Sequence, residues 1–118
     1  MKQALIVDPT GEVEDFAGSA LGLYEQTQTG SLQEALALAS GASYNLVLIA
    51  MPGEQCDGAM WTMVERIRDL AEEAAIVMVH TSDGDAEFHK RAGELGVSVV
   101  TKPLDVMARE LIDEVSVR

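Results

Sequence analysis

Short apolar runs alternate with longer amphipathic stretches along this chain. Ala4–Val7, Leu46–Ala50 and Ile76–Val79 are continuous apolar runs, too short for helices and without helical period. Val97–Thr101 is similar, and Tyr24–Gln28 is a more polar candidate. Runs of this length, rich in Val and Ile, suit strands buried on both faces, whereas the polar one suits a sheet edge.

The intervening stretches have helical spacing. Val13, Phe16, Ala17, Ala20 and Leu21 mark a first helix. Leu32, Ala35, Leu36 and Ala39 mark a second, with Ser31 and Glu34 at capping-box spacing. Met60, Met63, Val64, Ile67 and Ala71 mark a third, and Phe88, Ala92 and Leu95 a fourth, closed by Gly96. Met107, Leu111 and Val115 mark a fifth. Five strand–helix alternations predict a three-layer α/β/α domain: a doubly wound, five-stranded parallel sheet with helices on both faces. The pattern runs through residues 1–118 without a linker or a repeat, so one domain is expected.

Composition narrows the classes. Apolar residues make up 47 % of the chain, which excludes a disordered segment. Aromatics are 4 %, so the core must be aliphatic, with six Met to help fill it. The net charge is −12, from 20 acidic and 8 basic residues, which opposes binding to nucleic acid or to anionic membranes. Cys56 stands alone, so no internal disulfide can form, and a reducing cytoplasm is the expected setting. No apolar run reaches the length of a signal peptide core or a membrane span.

In sheets of this kind ligands sit at the carboxyl ends of the strands. Those ends carry Asp8, Ala50, His80 and Lys102. The segments Leu5-Ile6-Val7-Asp8, Asn45 to Gly58, and Thr101-Lys102-Pro103-Leu104-Asp105 together resemble the receiver domain of bacterial two-component response regulators, a flavodoxin-like fold. The resemblance covers nearly the whole chain. It implies a site with an acidic pair for Mg²⁺, an aspartate nucleophile, a small hydroxyl and a lysine that pairs with the phosphoryl charge.

Only two of those groups are in place. Asp8 matches the first of the acidic pair, but Pro9 follows it and offers no side-chain oxygen. The ungapped spacing from Asn45 to Gly58 puts the acceptor position at Ala50, whose methyl group accepts nothing. Aligning Pro52-Gly53 with the family's loop proline moves that position to Leu48, which is equally inert. His80 stands at the hydroxyl position with Thr81 beside it, and Lys102-Pro103 is the most specific surviving match. Val99 takes the place of the family's switch aromatic. The resemblance therefore implies a degenerate receiver: no catalytic residue, Mg²⁺ binding weak or absent, and Lys102 paired with Asp8. Asp8 also suits a turn or a helix cap.

The expected function is phosphorylation-independent protein–protein contact in two-component-type signalling. By resemblance the contact face is the fourth helix, fifth strand and fifth helix, with Lys90, Arg91, Val99 and Arg109 as candidate contacts. A homodimer through the same face is possible on this reading. Two alternatives use other chemistry: a sensor of small anions in the vacated pocket, and a relocated acceptor at Asp57. His89-Lys90-Arg91 also reads as a solvated helix face. Trp61, off the expected stripe of the third helix, is either an edge-of-core residue or an exposed anchor. Cys56 has no evident activating base.

Overall fold

The computed structural model describes residues 2–9, 11, 22, 24–50, 58–71, 74–80, 86–101 and 110. Five strands form one parallel sheet: β1 (Gln3–Val7), β2 (Glu25–Thr29), β3 (Leu46–Ile49), β4 (Ala75–His80) and β5 (Ser98–Thr101), in the order β2-β1-β3-β4-β5. Three helices are described, α1 (Leu32–Gly41), α2 (Gly58–Leu70) and α3 (Ala86–Leu95), which are the second, third and fourth expected from sequence. The expected first and fifth helices lie outside the described residues.

The strand order explains the strand sequences. β1, β3 and β4 are interior, and nearly every side chain on them is buried; this is why they read as unbroken apolar runs. β2 is an edge, and its sequence Glu-Gln-Thr-Gln-Thr keeps polar groups on a partly exposed strand. It lies one residue later than the Tyr24–Gln28 expected from sequence.

Successive strand residues face opposite sides of the sheet, so two cores form. On one side Leu5, Val7, Val47, Ile49 and Met78 meet α1, α2 and α3. On the other, Ala4, Ile6, Leu48, Ala50, Val77, Val79 and Val100 form a second buried cluster.

Local signals set the helix ends. Ser31 caps α1, its Oγ accepting the Glu34 N–H at 3.1 Å, as the Ser-x-x-Glu spacing predicts. α3 ends in a Schellman motif: Val97 N–H bonds the Ala92 carbonyl at 2.9 Å and Gly96 N–H bonds Gly93 at 3.2 Å. Gly96 supplies the required left-handed turn, at φ 73°. Arg68 of α2 donates from a guanidinium nitrogen to the Leu95 carbonyl at 3.2 Å, so a neighbouring helix satisfies another orphan acceptor of α3. At the amino end of the sheet Asn45, just before β3, bonds the two flanking strands: its Oδ1 accepts from Gln3 N–H at 2.8 Å, its N–H donates to the Gln3 carbonyl at 2.8 Å, and its carbonyl accepts from Ala75 N–H at 3.0 Å.

Candidate functional site

In a sheet of order 2-1-3-4-5 the winding direction reverses between β1 and β3, and a crevice opens beyond the carboxyl ends of those two strands. Asp8 follows β1 and Ala50 follows β3. Val7 and Ile49 are register partners, and Ala50 N–H donates to the Val7 carbonyl at 2.8 Å. Asp8 and Ala50 are thus neighbours one step beyond the last paired residues. By the same register Ala50 lies beside Val79, which pairs with Val100. All four positions have the parity of Ala4 and Ile6, and so share the second face of the sheet.

Asp8 is half-buried and begins a turn. Its carbonyl accepts the Gly11 N–H at 3.4 Å, Pro9 takes the second turn position, and Gly11 has φ 75°. Its own N–H donates to the Thr29 carbonyl at 3.0 Å, tying the start of the turn to the edge strand. Ala50 is 1 % exposed and packs in the apolar cluster with Val79 and Val100. The Ala50 side chain therefore offers no ligand atom and is buried. His80 ends β4 one residue beyond this row, in register with Thr101 of β5. Thr81, Lys102, Arg109, Asp57 and Cys56 lie outside the described residues. Among the described residues no group of three His, Cys, Asp or Glu side chains could hold a metal ion.

A second set of candidates lies on α3 and β5. Lys90 and Arg91 are exposed on α3, and Val99 on β5 is half-buried against the first core. The Arg91 guanidinium carbon is 6.0 Å from the centre of the Trp61 ring, at the outer limit of a cation–π contact. Trp61 in turn packs on Phe88, with centroids 5.1 Å apart and planes inclined at 58°. His89 lies edge-on to Phe88 at 6.3 Å.

Trp61 is therefore a core-edge residue, 8 % exposed. The buried face of α2 is Met60, Trp61, Val64 and Ile67, rotated from the expected stripe, and Met63 is only half-buried. Trp61 and Val64 are three apart, a spacing that could have placed Trp61 inward. The packing of Arg91 on Trp61 leaves no sequence signal, because it joins two helices.

No protein-family model and no curated protein matches the chain. Solved structures do. A CheY-like response regulator receiver domain from Methanospirillum hungatei is 22 % identical over 97 % of this chain and 95 % of that one, with a TM-score of 0.76. A two-component response regulator from Clostridium difficile is 19 % identical over 100 % and 97 %, with a TM-score of 0.79. This chain has the receiver fold. An adenylate cyclase structure from Rhodopirellula baltica is 18 % identical over 98 % of this chain and 87 % of that one, with a TM-score of 0.77. Identities this low establish the receiver fold alone, and activity has to be argued from the site. No helix among the described residues is long and apolar enough to cross a membrane.

Proposed function

We propose that this chain is a degenerate receiver in a cytoplasmic, two-component-type signalling system, acting through protein–protein contact without phosphorylation, Mg²⁺ or enzymatic activity of its own. The observation that carries this reading is Ala50. It stands at the switch point of the sheet, where an acceptor carboxylate would have to be, and is a buried methyl group packed in the apolar cluster with Val79 and Val100. Pro9 removes a second oxygen ligand beside Asp8. A hard divalent cation that needs several carboxylate oxygens has little to hold it there.

The contact face in this reading is α3 and β5, with Lys90, Arg91 and Val99, and with Arg109 beyond the described residues. Adjacent cations on a chain of net charge −12 favour an acidic patch on the partner. Arg91 lies over the edge-of-core Trp61 ring at 6.0 Å, the outer limit of a cation–π contact.

The test is an amide NMR titration with Mg²⁺ and then beryllofluoride, which mimics a phosphorylated aspartate. No saturable shift near Asp8, Ala50 or Lys102 is expected. Saturable shifts clustered there would overturn the reading. Once a partner is in hand, its affinity should fall steeply with salt and with Lys90→Glu or Arg91→Glu.

A further inference from the structure

A groove between α1 and α2 lies on the face of the sheet covered by α1, α2 and α3, lined in part by Leu36, Ala37 and Ser40 from α1 and by Arg66, Asp69 and Leu70 from α2. Leu70 is 50 % exposed, the one large hydrophobic side chain so open among the described residues. The α1 wall is poor in charge: Glu34 is its single charged residue, and Ala37, Ser40 and Gly41 are exposed and small. The α2 wall carries opposite charges one turn apart, Arg66 and Asp69. Asp69 accepts from Arg68 at 3.1 Å, whereas Arg66 has no hydrogen-bond or ion-pair partner among the described residues.

We propose that this groove is the interface of a homodimer. Two copies meet across a two-fold axis with their α2 helices antiparallel. Leu70 of each copy sits against Leu36 and Ala37 of the other, and Arg66 of each faces Asp69 of the other. A two-fold contact requires a patch that is its own complement. An apolar centre flanked by one cation and one anion on the same helix meets that condition, because the antiparallel arrangement exchanges the two signs.

Local charge complementarity fits a second copy, since Arg66 of each can meet Asp69 of the other. Each copy brings a net −12, which opposes association overall, so the contact has to form where few carboxylates are brought together. The α1 wall, with one carboxylate and small side chains, is such a place, and it lets the backbones approach closely. Small, uncharged α1 side chains opposite an exposed aliphatic anchor suit the centre of such a contact, with Arg66 and Asp69 at its rim. The interface is separate from the α3–β5 face, so it does not rest on the proposed function.

The experiment is sedimentation of the full chain from roughly 1 µM to 1 mM, where small interfaces dissociate. The mass should rise from monomer toward dimer. Leu70→Glu should weaken association at least tenfold, as should Ala37→Glu on α1, and both positions are exposed enough to leave the fold intact by circular dichroism. Arg66→Asp and Asp69→Arg should each weaken it by setting like charges face to face, and the double variant should restore it. A chain that stays monomeric throughout overturns the proposal. So does a dimer indifferent to Leu70→Glu and Ala37→Glu, a double variant that fails to recover, or a dimer broken instead by Lys90→Glu and Arg91→Glu.

Discussion

Replacing Ala50 by Asp tests the central inference directly, because it puts back the carboxylate that the site lacks. The side chain enters a position 1 % exposed, beside Val79 and Val100. An uncharged acid with unmet hydrogen bonds costs about 1–3 kcal/mol there. An ionised one with no compensating cation costs roughly 3–5 kcal/mol, from a total stability on the order of 5–15 kcal/mol. Burial raises the folded-state pKa of such an acid above its unfolded value. The penalty is therefore smallest below the unfolded carboxyl pKa, grows as pH rises between the two values, and is complete above the folded one. Thermal and urea unfolding at pH 4 and pH 7 should show this widening gap. At neutral pH the loss of melting temperature should be roughly 12–20 °C, at about 4 °C per kcal/mol for a domain of this size. Ala50→Val, of similar bulk, supplies the steric part alone, about 1–3 kcal/mol and independent of pH. Asp8 and a carboxylate at position 50 would be neighbours on one face, so millimolar Mg²⁺ should recover part of the loss in Ala50→Asp and none in Ala50→Val. If Ala50→Asp matched Ala50→Val at pH 7 and showed no added pH dependence, the position would not be desolvated, and the argument against an acceptor there would fail.

Other features of the fold give smaller, separable effects. Gly96→Ala should cost about 1 kcal/mol by urea unfolding, since a Cβ there meets open space but φ 73° is unfavourable for any L side chain. Asn45→Ala removes the acceptor of the Gln3 N–H and should cost about 1 kcal/mol, with faster hydrogen exchange at the start of β1; protection unchanged at Gln3 would refute a stabilising role for that bond. Trp61→Ala empties the space against Phe88 and should cost about 3–5 kcal/mol, whereas an exposed anchor would lose under about 0.5 kcal/mol.

The strands were legible because a parallel sheet buries both faces of its interior strands, and an apolar run of four or five residues is too short to span a buried helix. The second and fourth helices were legible at their ends, where Ser31 and Gly96 carry the capping chemistry. The inward face of the third is only partly legible because two apolar stripes overlap on it. Met60, Val64 and Ile67 belong to both, and only the packing of Trp61 on Phe88 decides between Trp61 and Met63. The hydrogen-bonding roles of Asn45 and Arg68 are hidden in the sequence for a different reason. Each acts through hydrogen bonds to residues far along the chain, Gln3 in one case and Leu95 in the other, and such bonds leave no periodic mark. Arg66 and Leu70 likewise read as ordinary surface positions until α1 is laid beside α2.

The row Asp8, Ala50, Val79, Val100 sets out what stands at the carboxyl edge of the sheet on its second face. A carboxylate stands at one end and three apolar side chains follow on the same face of the sheet. An acceptor in the second place would have to stay solvated and keep its metal ligands near, which sets a polar gap at the end of the core. Here Ala50, Val79 and Val100 are all at most 4 % exposed, so the second cluster runs unbroken to the carboxyl edge. Sites built for function give up stability locally, and filling one with apolar groups returns it. The packing around Ala50 stabilises the domain. On the proposed reading, the large penalty expected for Ala50→Asp and the absence of an acceptor are one physical fact, read once as stability and once as function.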